Sequence, residues 1–176
     1  MRKLNNTELN RKSSEEFKKA DKTPAIVVLD NIRSIHNVGS IFRTSDSFLI
    51  KKVYICGITA TPENQRMAKT ALGSTDSVDW EYVEEPKELI EKLERDNIII
   101  VSVEQANKSI KIQDFNPTNK SDYAFVFGNE VDGVREEFIK ASKHVLEIPQ
   151  VGTKHSLNVS VAAGIILWDF FDKKNI

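Results

Sequence analysis

From Pro24 onward, short continuously apolar runs alternate with segments of helical spacing, and that alternation restricts the chain to an α/β fold on a mainly parallel sheet with helices on both faces. Six runs read as strands, over residues 25–29, 52–56, 78–83, 97–103, 123–127 and 144–148. Several show no polar alternation, as expected of strands covered by helices on both faces. Helical spacing recurs over 39–48, 65–72, 87–95, 134–142 and 157–171. No repeat, low-complexity tract or Pro/Gly linker divides the sequence. One domain is therefore expected over 24–176, preceded by an N-terminal arm over 1–23.

Of the 176 residues 40 % are hydrophobic and 29 % charged, enough apolar surface for one core and too much for whole-chain disorder. The formal net charge of −1 gives no global field toward nucleic acid or an anionic membrane, so any such binding has to be local. The arm is where charge is uneven. It holds Arg2, Lys3, Arg11, Lys12, Lys18, Lys19 and Lys22 against Glu8, Glu15, Glu16 and Asp21, a net of +3. Leu4, Leu9 and Phe17 lie on a loose helical spacing, and Ser13-Ser14-Glu15-Glu16 offers capping chemistry. The arm reads equally as a solvated cover for the sheet edge and as a grip on RNA.

The single cysteine, Cys56, excludes an internal disulfide or a thiolate zinc cage, and its place in an apolar run makes it a buried thiol rather than a nucleophile. His36 and His144 have no partners at ligand spacing, so no metal is expected. No apolar signal region opens the chain, and no apolar stretch reaches membrane-spanning length. A cytoplasmic, soluble protein is expected.

Ligands of α/β sheets sit beyond the C-terminal ends of the strands, so the residues following each run carry the information. In the segment 29–44, Asn37 is expected to cap the next helix and Gly39 to allow close approach. Arg43 falls almost two turns later, roughly on the face of Asn37; an anionic or carbonyl partner and a surface pair with Asp46 both satisfy it. In the segment 127–135, Gly128 and Gly133 bracket Glu130, a natural acceptor for sugar hydroxyls or a neighbouring arginine. This is neither a dinucleotide fingerprint nor a phosphate loop. In the segment 147–164, Gly152, Ser156, Asn158 and Ser160 precede the small residues Ala162, Ala163 and Gly164, which permit close packing or a flat ligand. Ser156 beside His155 does not make a hydrolase, because adjacent side chains diverge and no G-x-S-x-G elbow exists.

Together these segments resemble the motif set of the SpoU-type (TrmH-like) 2′-O-ribose RNA methyltransferases of the SPOUT superfamily. Asn37 and Arg43 match its N-x-x-x-x-x-R element. Phe127, Gly128, Glu130 and Gly133 match F-G-x-E-x-x-G, and residues 148–162 are similar to I-P-x-x-G-x-x-x-S-L-N-V-S-V-A. The likeness extends to Ala71-Leu72-Gly73-Ser74, ahead of Trp80. The resemblance implies a C-terminal trefoil knot and an S-adenosylmethionine pocket formed by backbone groups of three loops, at Val103, Gly128, and Ile148 with Ser156 and Leu157. It also implies a homodimer with the pocket near the interface, and a catalytic set of Arg43, Asn37, Glu130, Ser156 and Asn158. Arg33, Arg43, Lys154 and the arm are the expected RNA contacts, with tRNA the first expectation for the substrate and rRNA the second. With the sequence ending at Ile176 and no separate RNA-binding domain read in it, recognition is expected to fall to these residues and a partner subunit. The competing class is a catalytically silent RNA-binding or regulatory module that keeps the donor pocket; the intact motif residues weigh against it.

The expected chemistry is an in-line displacement at a methyl carbon by a weakly acidic ribose hydroxyl. A guanidinium is a poor base, since its pKa stays above roughly 12. The role expected of Arg43 is to clamp ribose or phosphate and to stabilise the forming alkoxide, the proton leaving through phosphate or water.

Overall fold

The computed structural model describes residues 1–118 and 120–174; Asn119, Asn175 and Ile176, part of the domain expected over 24–176, lie outside the described residues. The chain runs through α1 (Ser14–Lys19), β1 (Thr23–Asp30), α2 (Ile35–Ser47), β2 (Ile50–Cys56), α3 (Ala68–Ala71), α4 (Ser74–Ser77) and β3 (Trp80–Val83). It continues through α5 (Pro86–Arg95), β4 (Ile99–Val103), β5 (Ile110–Lys111), β6 (Tyr123–Phe127), α6 (Glu136–Ala141), β7 (His144–Glu147) and α7 (Val159–Lys173). The strands form one sheet in the order β3-β2-β1-β6-β4-β7-β5, and every pairing is parallel.

The apolar runs lack alternation because both faces of the central strands are covered. Successive side chains point to opposite faces. Val27, Leu29, Phe125 and Phe127 meet Phe17 of α1, Ile41 and Phe42 of α2, and Ile166 and Phe170 of α7. Ile26, Val28, Ala124 and Val126 meet Leu89 and Leu93 of α5 and Phe138 of α6 on the other face.

Four expectations change in detail. A seventh strand, β5, is two residues long with no buried side chain, so it leaves no apolar run to read. The strand expected from Val78 starts at Trp80, because Val78 closes α4 by donating its N–H to Ser74 O at 2.9 Å. The helix expected over 65–72 is a 3-10 turn and one α-turn, stopped where Leu72 (φ 50°) and Gly73 (φ 85°) turn left-handed. The helix expected from Gly39 starts four residues earlier, capped by Ser34, whose Oγ accepts the Asn37 N–H at 3.3 Å.

The arm is packed. Phe17 is 3 % exposed within the core, and Ser13 and Glu16 cap α1 reciprocally at 3.2 and 2.7 Å. Ser14 Oγ meets Ser77 Oγ of α4 at 3.0 Å. Among the described residues no helix is long and apolar enough to cross a membrane.

Candidate active site

Beyond the C-terminal ends of β4, β6 and β7 lies a cavity of about 540 Å³, within the size range of small-molecule sites. Its walls come from three loops: 103–105 after β4, 127–133 after β6, and 146–150 with 155–159 after β7. All five residues expected to hold a methyl donor, Val103, Gly128, Ile148, Ser156 and Leu157, line this one space. Its charged lining residues are the acids Glu104, Glu130, Asp132 and Glu147, with no lysine or arginine among them.

At the rim, Glu130 and Asn37 together join three segments far apart in sequence. Its carboxylate accepts the N–H groups of Arg33 at 3.0 Å and Ser34 at 3.2 Å, and the Asn37 Nδ2 amide at 2.9 Å. Asn158 Nδ2 donates to Asn37 Oδ1 at 3.1 Å, while Asn158 Oδ1 accepts the N–H and hydroxyl of Ser160 at the start of α7. Partial burial pushes the Glu130 carboxyl up, but the N–H groups around it outweigh burial and leave its pKa below the ordinary value. A carboxylate with a lowered folded pKa adds stability above its unfolded pKa, and that contribution fades as pH falls through the folded value. Urea unfolding midpoints are therefore expected to drop from about pH 5 downward in the wild type and to drop less in Glu130→Gln; parallel curves for the two proteins would contradict this.

The site corrects several sequence expectations. Asn37 does not cap α2; it sits in the first turn, which leaves its amide free to bridge Glu130 and Asn158. Glu130 accepts the backbone N–H of Arg33 rather than a guanidinium. Gly39 does allow close approach, as expected, and what approaches is the 67–71 backbone: a Cβ there would lie 2.2 Å from Thr70 Oγ1 and 2.9 Å from Met67 O. Arg43 does not share the face of Asn37: six residues at about 100° each leave it about 120° away around the helix. Arg43 is exposed, forms no ion pair among the described residues, and lines a separate cleft with Ser14, Asp46, Ser47, Gly73 and Ser74. Arg33 and Lys154 are exposed as well. Of the small residues in α7, Ala163 is buried in the core and Gly164 has open space where a Cβ would stand.

Sequence reasoning missed the group beneath the rim. Asp30, wholly buried at the end of β1, accepts Arg135 N at 2.8 Å and Nε at 2.6 Å, and the Arg135 guanidinium reaches Cys56 Sγ at 3.2 Å. Burial pushes the Asp30 carboxyl up, and the Arg135 contacts pull it partly back. Burial also pushes the Cys56 thiol up to about 11, which keeps it protonated and unreactive. His144 is structural: it packs edge-on against Phe115, and burial lowers its pKa. Among the described residues no group of three or more His, Cys, Asp or Glu is arranged to hold a metal.

Fold and site define a class first: a parallel α/β protein whose ligand cavity is walled by three loops at the strand ends, beside a polar network suited to a hydroxylated substrate. The model of the SpoU rRNA Methylase family matches residues 24–168, and the chain belongs to that family. It is 30 % identical over 145 residues, 82 % of this chain and 56 % of the relative, to the 23S rRNA (guanosine-2′-O-)-methyltransferase RlmB of Neisseria meningitidis serogroup B. The chain spans 56–64 % of the length of the first curated relatives it matches. Among solved structures, the A. aeolicus TrmH/SpoU tRNA modifying enzyme superposes with a TM-score of 0.79 at 28 % identity, over 92 % of this chain and 80 % of that one. AviRb from Streptomyces viridochromogenes, in complex with the cofactor AdoMet, shares the fold at a TM-score of 0.79 and 22 % identity, over 90 % of this chain and 63 % of its own.

Proposed function

We infer that this protein transfers the methyl group of S-adenosylmethionine to a ribose 2′-hydroxyl of RNA, with tRNA the first substrate to test and rRNA the second. The observation that carries this reading is the junction of one cavity, lined by Val103, Gly128, Ile148, Ser156 and Leu157, with the Asn37–Glu130–Asn158 network at its rim. The cavity suits the donor chemically: apolar walls for an adenine, backbone groups of three loops, and carboxylates without opposing basic side chains for a cationic molecule. When bound, S-adenosylmethionine supplies an electrophilic methyl carbon on a sulfonium.

This chain's residues do the rest. Asn37, Glu130 and Asn158 fix the wall against which the acceptor ribose lies, and Ser156 stands at its side. Arg43 stands on α2 about 9 Å along the axis from Asn37 and about 120° around it, so an RNA strand has to cross α2 to meet both. Its guanidinium grips the ribose or an adjoining phosphate and stabilises the forming alkoxide, the proton leaving through phosphate or water. Arg33, Lys154 and the basic face of the arm supply the remaining contacts to the RNA backbone.

The knot implied for the segment after β7 belongs to the same reading. So does a homodimer. Val161, Ile165 and Trp168 of α7 are 50 %, 36 % and 55 % exposed at spacings of four and three residues, an apolar stripe left uncovered among the described residues. Trp168→Glu is expected to turn a dimer into a monomer in sedimentation velocity, and a monomeric wild type would remove the dimer from the proposal. A cytoplasmic location fits an RNA substrate and no requirement for a membrane.

The deciding experiment is transfer of labelled methyl from S-adenosylmethionine to RNA from a strain lacking the gene, followed by nuclease digestion and identification of the methylated nucleoside. A 2′-O-methylnucleoside in the tRNA or rRNA fraction is expected. Donor binding without incorporation into any RNA would instead favour the catalytically silent RNA-binding module.

A further inference from the structure

Between β6 and α6 the chain makes one tight loop, and its neck is gripped from two sides. Asn129 and Gly133 exchange backbone hydrogen bonds at 2.9 and 3.0 Å, and Gly128 lies against the Gly133–Val134 peptide. Just past the neck two adjacent N–H groups meet two carboxylates from different strands. Val134 N donates to Glu104 Oε2 at 3.2 Å, and Arg135 N donates to Asp30 Oδ2 at 2.8 Å. Asp30 leads into the segment whose Arg33 and Ser34 N–H groups hold Glu130, so it faces the acceptor side. Glu104 follows β4 and lines the donor cavity.

Glu104 has a second tie. Its Oε1 accepts the N–H of Gln105 at 2.8 Å, and the Gln105 amide donates to His155 O at 2.7 Å. The dipeptide Glu104-Gln105 thereby joins the β4 loop to both other loops of the cavity. The fit is close: Gly133 has φ +73°, and a Cβ on it would lie 2.3 Å from Glu104 Oε2. Glycine at 133 is required by the backbone and leaves the room this carboxylate takes.

We propose that Glu104 is a positioning residue for methyl transfer, which through the Val134 N–H holds the loop carrying Gly128 and Glu130, so that the donor cavity and the acceptor network keep one register. This rests on the donor reading of the cavity. The property at work is hydrogen-bond acceptance at one oxygen, since the Val134 N–H needs an acceptor rather than a charge.

The test uses the full chain with S-adenosylmethionine and the RNA that the wild type methylates. Glu104→Leu is expected to raise the donor Kd by calorimetry about tenfold and to lower kcat at saturating donor about tenfold, the size of one lost hydrogen bond, while RNA affinity without donor stays in place. Glu104→Gln, which keeps an acceptor oxygen, is expected to recover most of both. If Glu104→Leu does not fold, Glu104→Ala, which also removes the acceptor of the Val134 N–H, is expected to weaken donor binding by a similar factor. Wild-type donor affinity and kcat in Glu104→Leu or Glu104→Ala would overturn the proposal, as would a glutamine variant no better than leucine. A wild type that binds no donor overturns the functional reading itself; a wild type and Glu104→Leu that bind it equally overturn only the role of Glu104.

Discussion

Arg43→Ala is expected to lower kcat for methyl transfer by a factor on the order of 100 to 1,000 while donor affinity stays within about twofold, because the lost interaction acts on charge that develops only as the bond forms. The separation follows from geometry. Arg43 is exposed in a cleft with Ser14, Asp46, Ser47, Gly73 and Ser74, whereas the donor cavity is lined by other residues altogether. Arg43→Lys sharpens the test. Lysine keeps a positive charge but lacks the planar fork that grips two oxygens at once, so it should restore RNA affinity more than turnover. Single-turnover rates at saturating RNA and donor, with donor Kd by calorimetry, check both variants. Near-full turnover in Arg43→Lys would remove the bidentate role, and a large loss of donor affinity in Arg43→Ala would place the arginine at the wrong cavity.

Why Arg43 could be named from sequence but not placed shows where sequence reading succeeds and stops. The strands were legible chiefly because four of them, β1, β2, β4 and β6, are apolar runs with both faces buried. β5 was not, having two residues and no buried side chain. The five expected donor contacts meet at one cavity because each follows a strand of the same parallel sheet, and such a sheet brings all its C-terminal ends to one edge. Angular position around a helix is less forgiving. Asn37 as cap assumed a helix starting at Gly39; the Ser34 cap moves the start to Ile35 and puts Asn37 inside the first turn, while a spacing of six residues carries Arg43 off the face of Asn37 wherever the helix begins. The Asp30–Arg135 pair was illegible for another reason. A carboxylate ending a buried run demands a cation, but nothing in the sequence says that the cation lies 105 residues later, and Glu104 looks like any acid after a strand.

The second large effect is expected from Gly128→Ala. A Cβ at this position would lie 2.2 Å from Gly133 C, 2.2 Å from Val134 N and 2.4 Å from Gly133 O. All three are backbone atoms, so no rotamer change relieves the contact, and the neck of the loop has to open. Opening it breaks the paired hydrogen bonds between Asn129 and Gly133, draws Val134 N from Glu104, and moves Glu130 away from Arg33, Ser34 and Asn37. One methyl group therefore damages the donor wall and the acceptor network together. Overpacking of this kind costs about 1–3 kcal/mol of stability, and donor affinity is expected to fall by a factor on the order of 100 with no detectable methyl transfer. Gly152→Ala is the control, since no atom lies within 4 Å of its Cβ position and its φ is not left-handed; its urea midpoint should stay where the wild type's is. Calorimetric donor titration and urea unfolding of both variants make the comparison. A Gly128→Ala protein that unfolds and binds donor like the wild type would mean that the neck has slack, and that Glu130 is held by its own hydrogen bonds rather than by the closure beneath it.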